Sequence, residues 1–356
     1  MAISVIRLLA LILAFAALSN APKDAAVARS VLGGRPLLHA HNCYPENGQW
    51  RDRLDRALAT GLPRLAIEQD VAWAPETAGR GGRSVVSHET AISGTEPTLE
   101  DHFFARIRPL MERALEENRR ERWPLVILHL DFKSNEPEHH RAIWELLNRH
   151  RAWLTTAEQI VDRSKVTPFQ TGPLLVLTEN GPGQEAAFSD RVPVGDRLLI
   201  FGTTPSPYLP RSDDADVRAR TLASATPAAL VPWPATNYRR WTNFPWQVVE
   251  RGGQAVAGDW SAADASRLGA IVSRAHEQGL WIRFYTLNGH DASASRGWTP
   301  SYNFGSAAAV RARWQAAVNA GVDFIATDQY EDLARLLTTG RRQAVTMSKP
   351  LLAKLG

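Results

Sequence analysis

His39-Ala40-His41, Glu68-Gln69-Asp70 and Asp131-Phe132-Lys133 each set two polar or charged side chains two residues apart, at the end of a short apolar run. In an extended strand, residues i and i+2 point to the same side. If the three runs are successive parallel strands, these groups converge at one sheet end instead of scattering. A single such pair reads as a strand-capping salt bridge, but three in succession read as a site. Isolated buried charge is costly, so three carboxylates and a lysine brought together must neutralise one another or hold a cation. Oxygen ligands from Glu68, Asp70 and Asp131 suit a hard cation, Mg2+ or Ca2+, with water and substrate completing its shell. Ser84-Val85-Val86-Ser87-His88 ends a further short run in a histidine and would return a second imidazole to the same place. His41 and His88 would then be the general base and general acid, because imidazole titrates near neutrality.

The elements that must position these groups alternate along the chain. Apolar runs at Pro36–His41, Leu65–Val71, Leu125–Asp131, Leu174–Thr178, Leu198–Phe201, Ala229–Val231, Trp281–Thr286 and Phe324–Asp328 read as buried strands. Amphipathic stretches at Trp50–Thr60, Leu99–Glu117, Glu138–His150, Ala262–Gln278 and Ser306–Ala320 read as helices between them. Gly61, Gly279 and Gly321 follow helical patterns where a left-handed residue ends a helix. Eight strands with intervening helices predict an α/β fold, a single-domain (β/α)8 TIM barrel. An open doubly wound sheet gives a similar pattern, and periodicity alone does not separate the two.

The 356 residues contain 41 Lys+Arg against 37 Asp+Glu, a net charge of +4 with no basic run, which is a poor footprint for nucleic acid. The positive charge is nearly all arginine. Lysine occurs only at Lys23, Lys133, Lys165, Lys349 and Lys354, so Lys133 is a choice against its background. One cysteine, Cys43, closes no internal disulfide and builds no thiolate zinc site. Arg7, the apolar run from Leu8 to Leu18 and the following small residues have the layout of a signal peptide, and the run is too short to span a bilayer. The expected organisation is a signal peptide at 1–28, a barrel at 29–338 and a tail at 339–356. The mature chain is expected to be exported, periplasmic or secreted.

The order His41-Asn42, Glu68-x-Asp70, His88, Asp131-x-Lys133 resembles the glycerophosphodiester phosphodiesterase and phosphatidylinositol-specific phospholipase C superfamily of TIM barrels. His39-Ala40-His41-Asn42-Cys43-Tyr44 is similar to the opening motif of its altered-inheritance-of-mitochondria branch, with Cys43 where that branch has Asp. The segments 282–288 and 321–328 resemble the superfamily's seventh and last strands. The resemblance implies a metal-dependent phosphoric diester hydrolase acting on a glycerophosphodiester or phospholipid-type substrate. His41 and His88 would be its acid–base pair, Glu68, Asp70 and Asp131 its Mg2+ or Ca2+ ligands, and Asn42, Lys133 and Arg283 its substrate contacts. Arg283 would substitute for a phosphate-binding arginine that Asn42 replaces. The implied partner is a small-molecule or lipid phosphodiester, with transient contact to a membrane surface. Two other readings stand beside it: an amidohydrolase-like metal-dependent hydrolase barrel, and an inactive secreted module that binds phosphorylated ligands. Nothing in the sequence sets the oligomeric state.

His39 and His129 read as packed interior or orienting residues, Glu179 as a pocket or surface carboxylate, and Asp328 as an orienting group or a helix cap. The segment from Trp233 to Trp246 reads as a large aromatic loop with its own small core.

Overall fold

A computed structural model describes residues 31–34, 36–46, 49–76, 81–207, 214–250, 258–290 and 303–347. The expected signal peptide lies outside these residues. Eight parallel strands form the framework: β1 (Leu37–Ala40), β2 (Leu65–Ala74), β3 (Val126–Phe132), β4 (Leu174–Thr178), β5 (Phe201–Thr203), β6 (Arg239–Pro245), β7 (Trp281–Tyr285) and β8 (Phe324–Thr327). They pair in chain order, and β1 closes the ring by pairing with both β8 (Leu37 opposite Phe324) and β2 (His39 opposite Ala66). The protein is therefore a (β/α)8 TIM barrel, and the open-sheet alternative is excluded. Among the described residues no helix is long and apolar enough to cross a membrane.

The period-two alternation of the strands divides the core into two parts. Leu37, Ala66, Ile127, Leu175, Leu177, Phe201, Trp241, Trp281 and Phe324 pack together inside the barrel. The alternate residues, including Leu38, Ile67, Leu128, Val176, Ile282 and Ile325, join the larger cluster between strands and helices. Apolar side chains thus fill the N-terminal part of the barrel, and the polar residues further along the same strands are confined to its C-terminal mouth. Helices end as expected at Gly61, Gly279 and Gly321, all with φ between 66° and 76°. The last helix, Tyr330–Met347, continues through the start of the expected tail.

Two strands differ from expectation. The sixth is Arg239–Pro245, within the segment read as a loop, while 229–231 falls at a short helix, Pro227–Leu230, capped by the Thr226 hydroxyl. The composition explains the difference: Trp241 points into the barrel, while Arg240 is buried over the rings of Phe169 and Phe201 where the pairing register shifts between Arg239 and Trp241. Two arginines and an asparagine therefore break the apolar run that would mark a buried strand. The fifth strand starts at Phe201, because Arg197–Leu198 pairs instead with Thr156–Glu158 in a small separate sheet.

β2 runs past the barrel rim, where the antiparallel strand Arg83–Val86 pairs with it (Val71 opposite Val86). His139, on the helix Pro137–Arg149, fastens this hairpin. Its Nε2 lies 2.8 Å from the Ser84 hydroxyl and its Nδ1 3.0 Å from the Ser134 carbonyl. The carbonyl requires an Nδ1–H donor, so Nε2 accepts from Ser84 and the neutral ring is fully satisfied. Burial pushes the His139 pKa down to about 4, and burial does the same to His102. Each ring is neutral when folded and takes up a proton near 6.5 when unfolded. Stability is therefore complete above about pH 6.5 and is lost as pH falls toward 4, by up to roughly 3 kcal/mol per ring. Urea denaturation of wild type and His139→Gln near pH 7.5 and near pH 4.5 checks this. The variant should lose less stability over that interval, and an equal loss contradicts the assignment.

Candidate functional site

The chemistry gathers at the C-terminal mouth of the barrel, around one buried carboxylate. Glu68, 4% exposed, accepts from Arg283 Nη2 at 3.0 Å on Oε1, which also lies 3.4 Å from His129 Nδ1 without a hydrogen bond between them. Its Oε2 accepts the Asn42 backbone N–H at 2.9 Å and lies 3.6 Å from His41 Nε2. Burial alone would push the Glu68 pKa up, but Arg283 foremost, with His41, His129 and His39, outweighs it and holds the group well below the carboxylate range. Asn42 reaches this position with φ 51°, in the left-handed region that asparagine tolerates better than most residues.

One layer outward, Asp70 and Asp131 lie opposite each other on β2 and β3. Lys133 Nζ bridges them at 2.8 Å to each Oδ2, and the Tyr44 hydroxyl donates to Asp70 at 2.7 Å. Burial, and then the Asp131 charge, push the Asp70 carboxyl well above its usual range. Burial works against the Lys133 ammonium, but Asp70 and Asp131 outweigh it and raise its pKa. One oxygen from each of Glu68, Asp70 and Asp131 lies within 4.8 Å of the others. Repulsion among such carboxylates is what a divalent cation relieves, and an all-oxygen donor set fits a hard cation. The Asp131 and Lys133 side chains are 30% and 21% exposed, so the cluster opens to solvent on that side.

His41 completes the site. Its Nδ1 lies 3.0 Å from Asp328 Oδ1, and Asn42 Nδ2 lies 2.8 Å from the same nitrogen. Asp328 is fixed in turn by Asn288 Nδ2 at 2.6 Å. Asp328 can only accept from His41 Nδ1 and Asn42 Nδ2 can only donate to it, so the two contacts fix the ring without selecting a neutral tautomer, and Nε2 is left facing Glu68. Among the described residues these contacts assemble five carboxylates (Glu68, Asp70, Asp131, Glu179 and Asp328) around two permanent cations, Lys133 and Arg283. The mouth is therefore rich in negative charge and suited to a bound cation.

The structure brings His41, Glu68, Asp70, Asp131, Lys133, Asn42 and Arg283 together. His88 follows Ser87, whose N–H donates to the Asp70 carbonyl at 3.0 Å, and lies on the loop after Arg83–Val86 with its side chain 44% exposed and its Nδ1 3.2 Å from Glu89 Oε1. It lines a cavity of about 510 Å³ with Glu46, Arg51, Glu89, Asp101 and Arg106. Arg283 is 2% exposed and hydrogen-bonds inward, to Glu68 and to Asn243 Oδ1 at 3.0 Å, which makes it an anchor of the site's interior. Asn42 likewise positions Glu68 and His41. Tyr44, Asn243 and Asn288 are contributors that sequence reasoning did not single out. Tyr44 stands within the quoted opening motif, whereas Asn243 was hidden with its strand. Cys43 is fully buried, and burial pushes its thiol up to about 12.

The fold and site define a TIM barrel with an acidic, histidine-bearing mouth. No family model matches the sequence, and no curated protein matches it. Among solved structures, the barrel is similar to dihydropteroate synthase from Burkholderia cenocepacia complexed with 7,8-dihydropteroate, at 18% identity and a TM-score of 0.36 over 88% of this chain and 93% of that one. It is also similar to the Xanthomonas albilineans dihydropteroate synthase with 4-aminobenzoic acid (15% identity, TM-score 0.37, covering 88% and 94%). A third is the Plasmodium falciparum HPPK-DHPS triple mutant with pterin and p-hydrobenzoate (10% identity, TM-score 0.41, covering 90% and 50%). These findings correct the family reading. The solved structures named above are dihydropteroate synthases, not glycerophosphodiester phosphodiesterases or phosphatidylinositol-specific phospholipases C, and no family model supports that superfamily. The expected phosphoric diester hydrolase, its lipid-type phosphodiester partner and its membrane contact do not stand. Neither the amidohydrolase-like alternative nor the inactive module gains support. At these identities the likeness is one of fold, and the neighbours' ligands are not carried to this chain.

Arg283 and Glu68 form a buried pair, and removing one partner of such a pair costs about 3–5 kcal/mol because the other charge is left uncompensated. Arg283→Gln should lower unfolding stability by about that amount in urea titration. A loss below about 1 kcal/mol contradicts Arg283 as the main counter-charge.

Proposed function

We propose that this chain is a divalent-cation-dependent enzyme that performs acid–base chemistry at an oxygen of a small anionic substrate. The observation that carries the reading is the double role of Glu68. One carboxylate belongs to the cation-competent cluster with Asp70 and Asp131 and also lies 3.6 Å from His41 Nε2. A cation held there, Mg2+ or Ca2+, supplies positive charge to polarise a substrate oxygen beside the imidazole. Lys133, at the exposed edge of the cluster, adds a second positive charge that favours an anionic ligand over a neutral one. Asp328 fixes the position of the His41 ring, and its negative charge stabilises the imidazolium formed when the ring accepts a proton.

Cation binding and catalysis separate by mutation. Calorimetric titration with Mg2+ and Ca2+ should show one site in wild type, lost or weakened at least tenfold in Asp131→Asn. A thermal-shift screen of anionic small molecules, among them carboxylates and phosphate monoesters, should find ligands that bind only with the cation present. Turnover of such a ligand should fall about 10²–10⁴-fold in His41→Ala, the usual contribution of acid–base catalysis, with cation affinity unchanged. Wild type that binds no divalent cation, or His41→Ala that turns over normally, contradicts the proposal.

A further inference from the structure

Beneath the carboxylate layer the barrel holds a second polar group that the proposed chemistry does not use. His39 on β1 is 1% exposed, and among the described residues neither of its ring nitrogens has a hydrogen-bond partner. His129 on β3 is fully buried, and its ring centroid lies 5.2 Å from that of His39. One nitrogen of each ring and one oxygen of Glu68 lie within 4.8 Å of one another. Both nitrogens of His129 lack a hydrogen-bond partner as well, and each unpaired buried polar atom costs free energy comparable to a lost hydrogen bond, so four orphaned nitrogens on two neighbouring rings require an explanation.

We infer that His39, His129 and Glu68 form an inner transition-metal site, distinct from the outer oxygen-only site and joined to it through the Glu68 carboxylate. Two imidazoles and one carboxylate are a donor set for a borderline-soft ion such as Zn2+ and a poor one for Mg2+ or Ca2+. The surroundings have the arrangement such a site needs. His129 Nδ1 is the atom on the Glu68 side, at 3.4 Å from Oε1, while its Nε2 lies 3.1 Å from Glu179 Oε1. Neither nitrogen makes a hydrogen bond in this geometry, and a carboxylate this near the far nitrogen would orient a metal-bound imidazole and raise its basicity. Glu179 is itself held by Asn243 Nδ2 at 2.8 Å. Arg283 contacts the same Glu68 oxygen that faces His129, so metal and guanidinium would share that carboxylate. The inference adds a metal to the same mouth and rests on the cation-dependent reading only through Glu68.

The test uses the full chain, with Co2+ as the spectroscopic probe and Zn2+ for stoichiometry. Wild type should retain one equivalent of Zn2+ through gel filtration, and Co2+ should give the intense visible absorption of a four-coordinate nitrogen and oxygen site. His39→Gln and His129→Gln should each lose that absorption while Mn2+, read by electron paramagnetic resonance, still binds the outer cluster. Asp131→Asn should do the reverse. Glu179→Gln, which touches no metal, should weaken Zn2+ about tenfold and keeps the test usable if a histidine variant fails to fold. Wild type without a retained metal and without the Co2+ absorption overturns the inner site, whatever Mn2+ does. Retention of the absorption in folded His39→Gln overturns it equally. Loss of Mn2+ binding in wild type strikes at the outer cluster instead, so the two failures are distinguishable.

Discussion

A carboxylate inside a barrel cannot remain charged without close compensation, and the arrangement around Glu68 follows from that constraint. Its counter-charges and donors come from distant parts of the chain: Arg283 on β7, His129 on β3, and the Asn42 backbone and His41 just beyond β1. Each contact ties one strand end to β2. The left-handed backbone at Asn42 and the inward guanidinium of Arg283 are means of delivering a hydrogen bond and a charge to one buried group.

The remaining polar residues grade outward from it. Asp70 is buried and its carboxyl is pushed up, Asp131 is partly exposed, and Lys133 spans both. Below Glu68 the interior turns apolar, through Leu177 and Trp241 to Leu37, Ile127 and Trp281. The barrel therefore supplies a dry floor and a wet rim, with the charged layer between. Such a gradient favours cation-assisted chemistry, because interactions below the rim act in low dielectric while ligand exchange stays open above it.

Much of this was legible in the chain, and what was missed has a physical cause. The pairs at 39/41, 68/70 and 131/133 mark their strand ends because residues two apart share a face, and the structure assembles all three. Asp328 was visible as a candidate orienting group and does hold His41. β6 was hidden because it buries Arg240 against aromatic rings, which breaks the apolar signature. Asn243 went unseen for the same reason. His88 follows a strand as read, and the loop it opens pairs its side chain with Glu89. The family resemblance rested on the order of short motifs, which constrains a barrel mouth more tightly than it constrains ancestry or substrate.

The central claim is that Glu68, Asp70 and Asp131 together hold a divalent cation beside His41. The most direct test is a crystal structure of the protein soaked in Mn2+, with anomalous scattering used to locate the ion. The account predicts a peak about 2.0–2.6 Å from an oxygen of each carboxylate, with Lys133 displaced from between Asp70 and Asp131. Crystals saturated with Mn2+ that show no peak among these carboxylates, and Lys133 still bridging the two aspartates, would contradict it.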